Sequence, residues 1–217
     1  MLVMPNINLI IRNEREKDYR NVEQLIREAF WNLYVPGCSE HFVLHNLRKS
    51  RDFIPELDFI AEKEGQIVGN IVYSHGVIKN HQGTEQAVLC FGPVSVLPAF
   101  QKQGIGSALI IHTISLARTM DYPGIFIYGD PRYYSRFGFR CAEKYDIKTA
   151  DGKFAIALLA LELKQGALNN MPGRFIESPA FEADADKFAE YEAKFPHKEK
   201  LETDSQREFK ILASLRY

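Results

Sequence analysis

The chain has 217 residues, 46% of them hydrophobic and 25% charged, with a formal net charge of −1 at pH 7. That is ordinary globular composition, long enough to bury a core in one domain with an appendage, and it provides no overall field to gather nucleic acid or an anionic membrane, so any anion site must be local. The cysteines Cys38, Cys90 and Cys141 form no C-x-x-C pair, which argues against a disulfide framework or a zinc knuckle and for reduced thiols in a cytoplasmic setting with no metal.

Met1 to Arg12 lacks a basic lead and a small-residue cleavage site, so it reads as a first strand over Asn8–Arg12 rather than as a signal peptide. No apolar run approaches the roughly 20 residues needed to span a bilayer. Asp18 is placed to cap a helix carrying Val22, Leu25, Ile26 and Ala29 to Phe30 or Trp31. Ser39 is placed to cap a second helix with Phe42, Val43, Leu44 and Leu47. Asp58–Lys63 and Gln66–Ser74 flank a Glu64-Gly65 turn and predict a hairpin. A second turn, Asn80 to Gly83, leads into Ala87–Val96, apolar enough to be a central strand covered on both faces. Gly92-Pro93 interrupts it, and proline cannot donate to a ladder, so a bulge or a splay belongs there.

Gly104–Met120 predicts a helix, Ile125–Tyr128 a short strand, and Pro131–Phe137 a short helix closed by Gly138. Phe139–Ile147 and Phe154–Leu163 read as two further strands. The βαβ passage from 87–96 to 125–128 implies a parallel pair inside an otherwise mostly antiparallel sheet. The fold class is therefore α/β (α+β), a mixed sheet splayed at a central parallel pair and flanked by helices. Residues 1–163 form the domain. Residues 164–217, with helices expected at Ala183–Phe195 and near the C-terminus, form an extension packed on it.

One stretch carries chemistry. A strand ends at Val96, the turn Gln101-Lys102-Gln103-Gly104-Ile105-Gly106 follows, and a helix starts at once. The first amides of a helix lack internal partners and the helix dipole favours negative charge there, so this is an anion site. Glycines at 104 and 106 let a pyrophosphate approach the backbone, and Lys102 is placed to add charge. The Walker turn is missing, and so is the third glycine of the dinucleotide fingerprint.

VSVLPAFQKQGIGSALI, followed later by YYSRFGF, resembles the GCN5-related N-acetyltransferase (GNAT) superfamily, whose coenzyme A turn is written [RQ]-x-x-G-x-[GA] and is matched by Gln101, Gly104 and Gly106. The order of elements resembles that fold from Asn8 to about Leu163. GDPRYYSRFGF and the later LALEL…G…F…PAF pattern are similar to a group of predicted bacterial acetyltransferases. The resemblance implies an N-acetyltransferase that moves the acetyl group of acetyl-CoA to a primary amine of a small molecule by direct attack in a ternary complex. It implies a pantetheine arm lying along the backbone of Val94, Ser95 and Val96, a pyrophosphate at Gln101, Lys102, Gln103, Gly104, Ile105, Gly106 and Ser107, and Tyr134 as general acid, with its helical neighbour Tyr133 turned elsewhere. Asp130 lies near the acetyl group, where many relatives have Asn. Glu40, His41, His75, Glu85 and Asp130 stand as candidate bases, and Trp31, Tyr34 and Phe42 as acceptor-pocket walls or core. Cys90 reads as packing, and His112 as a surface residue. Many relatives dimerise. A module that binds acyl-CoA without catalysis, and transfer of a longer acyl group, remain open.

Overall fold

The computed structural model describes residues 9–217; Asn8, the expected start of the first strand, lies outside them. Strand β1 (Ile10–Asn13) pairs antiparallel with β2 (Phe59–Lys63), and β2 with β3 (Gln66–Lys79). Glu64 (φ 53°) and Gly65 (φ 79°) both take the left-handed conformation that a two-residue hairpin turn requires. β3 runs past the expected Ser74 because it pairs with β4 (Glu85–Val96) as far as Lys79, and there also with β9 (Gly173–Ile176). β4 is parallel to β5 (Gly124–Tyr128), which is antiparallel to β8 (Leu158–Glu162), and β8 carries the short β6 (Arg140–Cys141) at its edge. β7 (Ile147–Lys148) pairs with β9. The sheet is thus mixed and mostly antiparallel, with the parallel β4·β5 pair near its centre.

Two helices, α1 (Tyr19–Phe30) and α2 (Glu40–Leu47), cover one face, where Val22, Ile26, Leu44 and Leu47 pack on Ile60 and Val72. The opposite face is covered by α3 (Ile105–Ala117), with Ile105, Leu109 and Ile114 against Ile71, Leu89 and Ile125. The short α4 (Pro131–Tyr134) follows β5. Helix α5 (Ala185–Glu192) docks on α2 through Phe42, Tyr191 and Phe195. Helix α6 (Asp204–Ser214) closes the chain. No helix among the described residues is long and apolar enough to cross a membrane.

The structure corrects several sequence expectations. Phe139–Ile147 is not one strand. Ala142 and Tyr145 bury inward three residues apart, which suits the 3-10 turn Ala142–Tyr145 and not strand alternation. The strand expected at Phe154–Leu163 starts only at Leu158, because Phe154 to Ile156 pair with the C-terminal residues instead. β9 sits in a stretch that reads as loop. Neither expected cap works through its side chain: Asp18 accepts from the Arg12 guanidinium at 2.7 Å, and Ser39 donates its amide to Glu40 at 3.0 Å.

Beneath α2 lies a charged cluster. Arg48 bonds Glu14 at 2.6 Å and Glu23 at 3.0 Å, with the Arg48 and Glu14 side chains only 4% and 0% exposed. Burial raises the carboxyls of Glu14 and of Asp58 beside it, although Arg48 pulls the other way. Both groups hold a proton more tightly folded than unfolded. Their stabilisation is therefore complete below the ordinary carboxylate range and is lost as pH rises through the folded values. Through Glu14 the free energy of unfolding should fall between about pH 5 and about pH 9, by up to about 1.4 kcal/mol per pH unit, and thermal midpoints should fall with it. Glu14→Gln should flatten the profile.

Candidate active site

β4 and β5 pair at Leu89↔Ile125 and Cys90↔Phe126 and then separate. β5 stays with β8 through Tyr128↔Leu158, while β4 stays with β3 through Val94↔Ile71 to Val96↔Gly69. At the point of separation Gly92 and Pro93 face Val72 across a shift of register, a bulge that bends β4 away. The Leu97 amide donates to Val68 carbonyl, so antiparallel alternation directs the backbone of Ser95 to β3 and that of Val94 and Val96 into the gap. This narrows the expectation for Ser95: its backbone belongs to the β3 ladder and its side chain is buried away from the gap.

The gap continues into a cleft of about 690 Å³ lined by Val94, Val96, Gln101, Lys102, the helix start Gly104–Ser107, Tyr128 to Asp130, Tyr133 and Tyr134. Gly104 caps α3 with φ 85°, and Lys102 also takes a left-handed φ of 60°. The first helical bond runs from Ala108 N–H to Gly104 carbonyl, and the amides of Gly104, Ile105, Gly106 and Ser107 meet no backbone acceptor among the described residues. Gln101 and Gln103 shape the turn with their side chains: Nε2 of each donates to a carbonyl, of Val96 at 3.1 Å and of Ala99 at 3.2 Å. Gln103 does not line the cleft, and the Ile105 side chain is in the core under α3.

Both tyrosines of α4 reach the cleft, contrary to the expectation that one turns away. Their rings meet edge-on at 4.9 Å. Tyr133 leans over the helix start: a Cβ on Gly106 would lie 3.5 Å from its hydroxyl. Tyr134 lies deeper, between Phe91 and Phe139, and its ring occupies the space above Gly129, where a Cβ would come within 2.4 Å. Burial raises the Tyr134 hydroxyl above its ordinary range, so it stays protonated at neutral pH. Asp130 caps α4 by accepting from the Arg132 amide at 2.8 Å, and it forms a two-point ion pair with the Arg132 guanidinium. That pairing lowers its carboxyl and makes it a weak base.

Of the other candidate bases, Glu85 is paired with Lys79 on the surface, and His75 bonds the Tyr122 hydroxyl; neither lines the cleft. His41 is fully buried between Cys38 and Glu192 under α5. Glu40 is within electrostatic reach of Tyr34 at the cleft rim, and burial raises its carboxyl. Of the expected pocket walls, Tyr34 lines the cleft, whereas Trp31 bonds the Glu199 carbonyl and Phe42 is core. His112 is half-buried against Phe59. Phe100, Tyr128 and Arg136 line the cleft without having been singled out; Tyr128 was marked by ending the strand at the splay. Cys90 is buried with its thiol raised by burial. Among the described residues no group of three or more His, Cys, Asp or Glu could hold a metal ion.

A family model described as "Acetyltransferase (GNAT) domain" matches residues 56–141. The chain is similar to the uncharacterized N-acetyltransferase YhbS of Escherichia coli K12, at 26% identity over 166 residues, covering 76% of this chain and 93% of YhbS. The fold matches that of the E. coli YhbS structure in complex with CoA with a TM-score of 0.71 at 24% identity, over 83% of this chain and 96% of that one. It matches a GNAT family acetyltransferase from Brucella melitensis in complex with acetyl-CoA with a TM-score of 0.65 at 28% identity, over 81% and 99%.

Asp130→Ala removes a side-chain cap and should cost about 1 kcal/mol in urea unfolding at neutral pH. Because the Asp130 carboxyl is lowered in the folded state, the difference from the parent chain should vanish as acid protonates it.

Proposed function

We propose that the chain, whose residues 56–141 match the GNAT acetyltransferase domain model, transfers the acetyl group of acetyl-CoA to a primary amine by direct attack in a ternary complex. The observation that carries the reading is the continuous cleft that joins the free amides at Gly104–Ser107 to the unpaired edge of β4 and ends at Tyr134. Acetyl-CoA supplies an activated acetyl thioester. The residues present suit its pyrophosphate and its pantetheine arm. The α3 amides and the helix dipole suit a pyrophosphate. The open backbone of Val94 and Val96 suits the amides of a pantetheine arm, as an added strand would. The Val94 N–H at the bulge is placed to stabilise negative charge on a carbonyl oxygen.

Tyr134 then gives a proton to the departing thiolate. A thiolate is a fair leaving group, so a weak acid kept protonated by burial suffices, and holding the amine near the thioester contributes much of the rate. Asp130 is the candidate base that lines the cleft, and it is ionised and so able to take the amine's proton, although its pairing with Arg132 makes it a weak base. Direct attack is favoured over an acetyl-cysteine route. Cys38 and Cys90 are 5% and 3% exposed, and burial holds both thiols protonated.

Acetyl-CoA should raise the thermal midpoint, and Gly104→Glu should abolish the shift by placing a carboxylate at the anion site. A surviving shift removes the pyrophosphate assignment. Tyr134→Phe should lower kcat by about a hundredfold while the acetyl-CoA shift is retained; an unchanged kcat removes the acid. Acetyl-CoA binding with no thiol release above background across an amine screen would favour a sensor.

A further inference from the structure

The cleft does not end at Tyr134. Tyr34, Tyr128, Gly129 and Asp130 also line a second cavity of about 750 Å³, so one set of residues forms the wall common to both. Helix α6 spans this cavity and is tied down at both ends. At its start Thr203 and Ser205 donate to the carbonyls of Asn32 and Leu33 at 2.9 and 2.8 Å, and buried Gln206 donates to Asn32 at 3.0 Å. Past its end, Phe154 and Tyr217 exchange both backbone bonds, Ile156 donates to Leu215, and Arg216 pairs with Asp151. Between these anchors Phe209 and Leu212 face the cavity, and the Phe209 ring sits 4.6 Å from that of Tyr34.

The lining has a definite chemistry. Tyr34, Tyr128 and Phe209 are 36%, 47% and 38% exposed, large aromatic surfaces left open on one hollow. Leu33, Leu212 and Ala155 add to the apolar wall. The charges are nearly matched: Arg132 is paired with Asp130 and Arg216 with Asp151. Glu208 makes no ion pair among the described residues, although it lies within electrostatic reach of Arg132, so the lining carries one more acid than base. The uncompensated charge is negative, which suits an ammonium and disfavours carboxylates and phosphates. Aromatic faces add to the attraction for a cation or a ring. The volume is that of a small-molecule site, and a polypeptide acceptor would have to displace a helix anchored at both ends.

We infer that this cavity is the acceptor pocket, and that the acceptor is a small primary amine with an aromatic or branched aliphatic body. The inference rests on the acetyl-transfer reading above and adds the substrate class. The amine end reaches the shared wall at Tyr128–Asp130, and the apolar body lies against Phe209 and Leu212.

The test uses the full chain with acetyl-CoA and follows thiol release with 2-phenylethylamine, isoamylamine, ethanolamine and spermidine. The two apolar amines should exceed ethanolamine and spermidine at least tenfold in kcat/KM. Leu212→Arg, which fills the cavity and adds positive charge, should raise KM for 2-phenylethylamine at least tenfold while the acetyl-CoA thermal shift is retained. Glu208→Lys, at an exposed position, reads the charge without disturbing the fold and should lower kcat/KM for the same amine. Equal or better use of ethanolamine or spermidine overturns the inference, as does turnover of no amine by a chain that binds acetyl-CoA, or indifference to both substitutions. In each of these cases the cofactor assignment stands. Failure of acetyl-CoA to stabilise the parent chain overturns the acetyl-transfer reading and the inference together.

Discussion

A strand inside a sheet has both backbone edges away from water and must pair them, and β4 does so only as far as Cys90 on the side of β5. Past that point the two parallel strands part, each held by its outer neighbour. β3 grips β4 through Val96, and β8 grips β5 through Tyr128. The separation is therefore built into the ladders on either side, and the bulge at Gly92-Pro93 is where β4 absorbs the bend. It leaves an unpaired strand edge leading directly to the unpaired amides at the start of α3. Two kinds of unmet backbone hydrogen bonding, a strand edge and a helix N-terminus, thus share one cleft. A ligand with amides along its length and an anion at one end meets both needs.

This is why half of the site could be read from sequence. A proline in an apolar strand, and glycines that open a helix, report backbone geometry directly, because each restricts or frees the chain at its own position. Gly104 takes the left-handed conformation that its place in the turn demands, and the parallel pair follows from one βαβ step. What the sequence does not convey in the same region concerns side chains. Ser95 turns to the far face, Gln101 and Gln103 brace the turn, and both α4 tyrosines enter the cleft because α4 is one turn long and gives way at once to a 3-10 turn. Side-chain direction over a single turn depends on what surrounds it, and spacing alone does not carry that.

Of the proposed acceptor half the sequence offers only Tyr34, for a different reason: its walls come from distant parts of the chain. Tyr34 follows α1, Tyr128 ends β5, and Phe209 and Leu212 belong to α6, and no local pattern links them. β9 was missed in the same way. Four residues among turn-formers show no useful alternation, and they become a strand because β3 and β7 present open edges to them. His41 shows the converse error. A histidine near the expected site proved to be core, held by Glu192 of α5, a helix expected at Ala183–Phe195 whose docking against α2 no spacing reveals.

Arg27 ties these observations to the energetics of the C-terminal segment. Its side chain is 1% exposed, and it donates to Glu192 and to the Pro196 carbonyl while lying over the Trp31 ring. A guanidinium taken out of water is costly unless its partners stay in place, and here both come from the segment after residue 163. If that segment were a detachable lid, each opening would strand a buried charge and break the contact between Phe42, Tyr191 and Phe195. We therefore propose that residues 164–217 fold as part of the same unit as residues 1–163. On that view α6 is a fixed wall. Amine selectivity is then set by the shape and charge of a preformed hollow, and the binding energy of the acceptor is not drawn down by ordering the helix that covers it.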